Sequence, residues 1–79
     1  MKKEYKNELG QYHRLDGPAI ENDNGNKYWF IDGKFHREDG PAIERNNDSK
    51  SWYLNGIECT EEEFHQEVIK LKLKRLVEL

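Results

Sequence analysis

Cysteine, proline and long apolar runs are scarce in this 79-residue sequence. Cys59 is the single cysteine, so an intrachain disulfide is impossible and a reducing compartment is expected. No stretch approaches the roughly 20 apolar residues that span a bilayer. The first ten residues lack the apolar core of a signal peptide. We therefore expect a cytoplasmic protein that does not interact with membranes.

A dominant charge of one sign is also missing. Sixteen acidic and 13 basic residues leave a formal net charge of −3, so the basic excess of a nucleic-acid-binding protein is absent. Hydrophobic residues make up 34% of the chain and charged residues 37%, but two Trp, four Tyr and three Phe argue against disorder. We expect one small domain, residues 1–79, whose marginal core would gain from a partner.

What the sequence does contain is a repeat. The string "HRLDGPAIE" at 13–21 returns as "HREDGPAIE" at 36–44, and only the third residue differs. The same offset of 23 residues relates Trp29 to Trp52 and Gly33 to Gly56. A period of this size indicates stacked supersecondary units, here over about residues 5–59.

Each unit is expected to form a β-hairpin. Asp32-Gly33 and Asn55-Gly56 each separate two short aromatic or β-branched runs, which predicts two-residue turns with positive φ at both positions. Looser turns are expected at 22–26 and 46–49. We predict an α+β, mainly β fold: an antiparallel meander of six to eight short strands followed by one C-terminal helix.

The predicted turns also assign residues to the two faces of the sheet, because opposed and alternate residues share a face. One face, called the aromatic face below, carries Tyr28, Phe30, Phe35 and Tyr53, with Tyr12 beside them. The other carries Trp29, Ile31, His36, Trp52, Leu54, Ile57 and Cys59. The helix is expected to cover this second face and to leave the aromatic face for a partner.

The segment 59–79 contains neither glycine nor proline. Thr60 and Glu63 form a capping box, which predicts a helix over 61–79. Its apolar residues form two adjacent stripes. The first consists of Phe64, Val68 and Leu71, and the second, called the outer stripe below, of Ile69, Leu73 and Leu76. Together they are wider than one sheet contact needs, so the outer stripe is a candidate partner surface.

The repeated string could be a site or a structural device. A paired acid–base or metal site would use His13, Arg14, Asp16, His36, Arg37 and Asp39. In the structural interpretation, Asp-Gly-Pro turns the chain, Arg pairs with Asp across the turn and His packs near a Trp. Recurrence in every unit favours structure, because a site needs its residues to converge only once.

Other chemistry has weaker support in the sequence. The three histidines lack the spacing of metal ligands. Cys59 and His65 could suggest a nucleophile and a base, but Cys59 is predicted to face Trp52 just before the helix cap. We therefore predict no catalytic residue, no metal ligand and no cofactor.

The residues Trp29, Asp32, Gly33, Lys34, His36 and Gly40 resemble MORN-type repeats, which place an aromatic before Asn-Gly or Asp-Gly and a His before a Gly-containing turn. Arg14 and Arg37 stand where that pattern commonly has Gly. This variant is similar to the "HR-x-DGPA" repeats of small phage and large-virus proteins, which often continue into a Thr-Glu-Glu-Glu-Phe-like helix start. The resemblance implies stacked hairpins and a viral origin, but no catalytic chemistry.

We expect a non-enzymatic protein-binding module and, for a phage protein, an inhibitor of a host defence protein. A homodimer is also expected, because one helix covers only one of two aromatic-bearing faces. Its centre would be the aromatic face or the outer stripe. The alternative function is small-ligand or nucleotide binding, in which the aromatic face or a dimer interface stacks a base.

Overall fold

The computed structural model describes residues 1–78 and contains eight short strands followed by one helix. All strand pairs are antiparallel, so the predicted α+β, mainly β fold is confirmed. The predicted helix end at Leu79 lies outside the described residues. The elements are β1 (Lys3–Glu4), β2 (Ile20–Glu21), β3 (Lys27–Tyr28), β4 (Phe30–Ile31), β5 (Lys34–Phe35), β6 (Ile43–Glu44), β7 (Lys50–Leu54), β8 (Ile57–Cys59) and α1 (Glu61–Val77).

The strands form two sheets, which the sequence did not predict. Six strands pair in the order β1-β2-β3-β6-β7-β8, while β4 and β5 form a separate hairpin. Trp29 lies at the division between β3 and β4. Its N–H donates to Ala42 O at 2.8 Å, but its carbonyl accepts from His36 N at 3.1 Å. The backbone therefore changes pairing partner at this residue.

The two-residue turns have the predicted geometry. Asp32 and Gly33 have φ values of 49° and 80°, and Asn55 and Gly56 have 53° and 82°. Positive φ at both positions is the geometry that matches the twist of the flanking strands. The register is the one that two-residue turns impose: Phe30 lies opposite Phe35 around Asp32-Gly33, and Trp52 lies opposite Cys59 around Asn55-Gly56.

Backbone hydrogen bonds join each hairpin to the next and recur at the 23-residue offset. Gly33 N donates to Tyr12 O at 2.9 Å, and Gly56 N donates to Phe35 O at 2.8 Å. A second pair of bonds repeats in the same way, from Arg14 N to Phe30 O at 3.1 Å and from Arg37 N to Tyr53 O at 3.4 Å. The period in the sequence is thus a period in the bonds between hairpins.

At the two ends of this stack, local hydrogen bonds satisfy the backbone N–H groups that have no further hairpin to bind. In the N-terminal hairpin, which a bridge between Lys6 and Tyr12 closes, Gly10 N donates to Asn7 O and Leu9 N donates to Asn7 Oδ1, both at 3.0 Å. At the other end Thr60 N donates to Glu63 Oε1 at 2.8 Å. The equivalent N–H groups 23 residues away, inside the stack, donate to a neighbouring hairpin. At the two ends these groups instead donate within their own segment.

The core is small and consists of Ala19, Ala42, Ile43, Phe64 and Val68. The helix packs against β7 and β8 through its buried Phe64 and Val68. A surface cleft beside the helix N-terminus is lined by Trp52, Cys59 and Glu63, so the helix lies on the Trp52 and Cys59 face. With 17 residues and charges throughout, α1 cannot bridge a bilayer, and the described part of the chain holds no other helix.

Candidate functional site

The arginines of the repeated strings close the Asp-Gly-Pro turns. Arg37 Nε donates to Asp39 Oδ1 at 2.8 Å, and its Nη1 donates to Pro41 O at 3.1 Å. Arg14 makes the equivalent bonds in the first string, at 3.1 and 3.2 Å. A pairing of Arg with Asp across the turn is what the structural interpretation of the string predicts.

Each guanidinium also lies against a glycine and an aromatic ring. A Cβ on Gly40 would lie 2.9 Å from Arg37 Cζ, which is too close for the side chain to stay in place. The same Cζ lies 3.9 Å from the centre of the Trp29 ring, a cation–π contact. Arg14 stacks over Tyr5 at 4.2 Å. A side chain at this glycine would displace the arginine head group, so glycine serves close packing of the arginine here rather than a positive φ.

The histidines bind the turn of the following hairpin. His13 Nδ1 accepts the backbone N–H of Asp32 at 3.0 Å, and His36 Nδ1 accepts that of Asn55 at 2.9 Å. The Asp32 carboxylate also lies 3.3 Å from His13 Nδ1, but this contact is an ion pair only when the ring is protonated. Each string therefore stabilises the unit that follows it, a role that the spacing within one unit did not reveal.

Glu38 connects the second string to the helix. His36 Nε2 donates to Glu38 at 2.8 Å, and Arg75 donates to both carboxylate oxygens at 2.6 and 2.8 Å. The Arg75 hydrogen bonds, followed by that from His36, lower the pKa of Glu38 from 4.5 to about 2 against the opposing effect of burial. The first string has Leu15 at this position. The one difference between the two strings was therefore the signal that sequence reasoning missed.

The groups considered for catalysis are engaged in other ways. Both ring nitrogens of His36 are occupied, by the Asn55 amide and by Glu38, so neither is free to take a proton from a substrate. Burial and the nearby carboxylates of Glu63 and Glu58 raise the pKa of the Cys59 thiol, which disfavours the nucleophilic thiolate. Within residues 1–78 no three His, Cys, Asp or Glu side chains are placed to share a metal ion.

A cleft of about 620 Å³ opens between the two Asp-Gly-Pro turns. Its lining includes the apolar side chains of Leu15, Trp29 and Ile31. Arg14 and Arg37 also line it, but their guanidinium groups are bonded to their own turns. The helix therefore does not fill the whole face that the sequence analysis assigned to it, because Trp29 and Ile31 face this cleft.

The rings of the aromatic face stack on one another across three hairpins. The ring centres of Phe30 and Phe35 are 4.2 Å apart, those of Phe35 and Tyr53 4.9 Å, and those of Tyr12 and Phe30 5.4 Å. Tyr28 lies 6.3 Å from Phe35, and all five rings are half-buried. Mutual stacking therefore covers part of the apolar surface that was expected to await a partner.

The outer stripe is the most exposed of the predicted partner surfaces. Ile69, Leu73 and Leu76 are 59%, 57% and 67% exposed, whereas Phe64 and Val68 on the opposite side of α1 are buried. The helix is anchored on the sheet by its buried residues and near its C-terminal end by the Arg75–Glu38 pair. The protein thus presents an ordered row of aliphatic side chains to solvent.

Comparisons with protein-family models, curated proteins and solved structures found no match to this chain. The similarity to MORN-type repeats therefore stays a prediction based on the sequence pattern.

Proposed function

We propose that this protein is a non-enzymatic protein-binding module whose partner docks on the outer stripe. The supporting observation is the alignment of three strongly exposed aliphatic residues on a helix that is already anchored by its other side. Contiguous exposed apolar surface usually marks an interaction site. The three residues stand at i, i+4 and i+7, the spacing of the apolar seam along which one helix packs on another.

The side chains of the repeats support a structural role for the β-region, residues 3–59. His13 and His36 bind the turns of neighbouring hairpins, and the arginines close the Asp-Gly-Pro turns. We propose that the β-region is a MORN-like scaffold that holds the helix in place. The single cysteine supports a cytoplasmic location. In a phage, the partner is a host protein, such as a defence component, that binding inhibits.

Quantitative affinity capture from host lysate tests the outer stripe. The variant Ile69→Gln/Leu73→Gln should capture at least tenfold less of the partner, while its circular dichroism spectrum stays unchanged. The matched control is Leu9→Gln/Ile57→Gln, which alters two aliphatic residues that are exposed elsewhere. The control should retain the partner. A partner that the stripe variant retains and the control loses would refute the proposal.

We also propose that two copies of the chain associate through the aromatic face. The half-buried rings form a continuous surface across three hairpins, and a symmetric dimer would bury what stacking leaves exposed. Sedimentation equilibrium over a hundredfold concentration range, starting in the micromolar region, should show a rise from monomer to dimer mass. A monomer mass throughout would reject the dimer.

The cleft between the turns favours a second candidate function, small-ligand or nucleotide binding. It combines apolar side chains with charged neighbours, as ligand pockets do. Protein purified from cells and then denatured should release a bound nucleotide if this function holds, and added nucleotide should raise the melting temperature. Absence of both effects would rule out a nucleotide ligand.

A further inference from the structure

We infer that the partner segment bound by the outer stripe is an acidic amphipathic helix, whose aliphatic side chains are bordered by carboxylates. This inference rests on the proposed function and adds the chemistry of the partner. It follows from the charge around the stripe and from the direction in which the stripe faces.

The residues around the outer stripe are cationic. Lys70, Lys72 and Lys74 alternate with apolar residues, and no acidic residue occurs from 69 to 77. All three lysines are exposed. Lys70 and Lys74 lie 3.2 and 3.9 Å from glutamates on their own helix, but exposed pairs of this kind are weak and are easily exchanged for a partner's carboxylate.

Helix geometry places these lysines on both sides of the stripe. At about 100° per residue, Leu73 points away from the buried Phe64, and therefore away from the sheet. Lys70 then lies on one flank of Leu73 and Lys72 on the other. A helix laid along the stripe would meet positive charge along both of its edges.

A second copy of this chain is a poor occupant of the stripe. Two antiparallel helices that meet at Leu73 would place Lys72 of one copy next to Lys72 of the other, because symmetry brings the same flank of each helix together. Like charges at such positions are destabilising, whereas carboxylates in a foreign partner would form ion pairs there. Charge complementarity therefore favours a different, acidic protein helix.

Fluorescence anisotropy with the full chain and three labelled synthetic peptides tests this inference. The peptides share one helical pattern of leucines and differ in having Glu, Gln or Lys at the flanking positions. We expect the Glu peptide to bind about tenfold more tightly than the Gln peptide and the Lys peptide not to bind. The preference for Glu should shrink at 0.5 M salt, because exposed charges are screened.

Two variants separate charge from apolar contact. Lys70→Glu/Lys72→Glu should reverse the preference toward the Lys peptide. The control Lys34→Glu/Lys50→Glu changes two exposed strand lysines by the same charge and should leave the preference unchanged. Ile69→Gln/Leu73→Gln should weaken the binding of both the Glu peptide and the Gln peptide.

The outcomes distinguish the inference from the proposed function. Equal affinity for the three peptides, or no peptide binding at all, would overturn the acidic partner but leave the stripe available to another protein. Peptide binding that survives in Ile69→Gln/Leu73→Gln would show that the stripe is not the docking surface, and the proposed function would fail as well. Cosedimentation with phosphatidylserine vesicles without peptide binding would replace the protein helix by an anionic membrane.

Discussion

At the scale of single residues, the two-residue turns place the strictest demand on residue type. Gly33 and Gly56 have φ values near +80°, where a β-branched side chain is strained. We expect Gly33→Val and Gly56→Val each to lower the free energy of unfolding by about 2–3 kcal/mol. Lys34→Val, on the adjoining strand, should change it by less than about 0.5 kcal/mol. Urea denaturation measures all three, and unchanged midpoints for both glycine variants would contradict the hairpins.

The two histidines should differ in their contribution to stability. Both accept a turn amide, but only His36 also donates to a carboxylate, Glu38. We expect His13→Gln to cost about 1 kcal/mol and His36→Gln about 2 kcal/mol, since hydrogen bonds to charged groups are stronger. Equal losses of stability would mean that the bond to Glu38 contributes nothing.

The double variant His13→Gln/His36→Gln tests whether the histidines are structural. Its stability should fall, while partner binding by the fraction that remains folded should be unchanged. The reverse pattern, with normal stability and lost binding, would show that the repeated string is a binding site.

At the scale of elements, polar bonds anchor the helix at both ends. Thr60 Oγ1 accepts Glu63 N at 3.1 Å in the capping box at its start. Arg75, in the last turn, is bonded to Glu38 of the second string. The apolar contacts of Phe64 and Val68 orient the helix between these points, so the outer stripe has a defined direction.

The Arg75–Glu38 pair should make stability depend on pH. The pKa of Glu38 is lower in the folded chain, about 2, than its ordinary 4.5. Its stabilisation is therefore complete above pH 4.5 and is lost as the pH falls toward 2. We expect Glu38→Gln to cost about 1–2 kcal/mol at pH 7, a value reduced for solvent screening of the exposed Arg75.

Urea denaturation at pH 7, 4 and 2.5 measures this effect. The difference between the original chain and Glu38→Gln should narrow with each step down in pH. Glu8→Gln, at an exposed carboxylate of a turn, serves as the control. A difference that stays constant from pH 7 to 2.5 would show that the pair does not stabilise the folded state.

At the scale of the whole molecule, the repeats form a stack with closed ends. Bonds between hairpins recur at 23 residues, and the bonds within the Asn7 turn and the helix cap use the corresponding N–H groups at the two ends. In stacked repeats each unit contacts only its neighbours, so stability is approximately a sum of unit and interface terms. Because the end segments use these N–H groups themselves, no further hairpin is added to the stack at either end.

This arrangement predicts that the stack can be extended. A second copy of residues 30–52, inserted after Trp52, keeps every inter-hairpin bond at its 23-residue offset. We expect a folded protein with strand content increased by one unit and a melting temperature at least equal to that of the original chain. A scrambled insert of the same composition is the control. Insolubility or loss of cooperative unfolding in the duplicated chain alone would contradict the stacked architecture.

The sequence by itself determined the features that depend on neighbouring residues. Asp32-Gly33 and Asn55-Gly56 specify their turns and register, and Thr60 with Glu63 specifies the helix start, because each involves only bonds within a few positions. The division of the outer stripe from the buried Phe64 side follows from helical spacing, which is also local.

The tertiary structure decided the contacts between units. His13 reaches Asp32 and Glu38 meets Arg75 only because of how the hairpins stack and where the helix lies on them. The division of the sheet at Trp29 and the mutual covering of the aromatic rings have the same origin. Such contacts depend on the combined packing free energy of several units, and no residue pattern within a single unit specifies that sum.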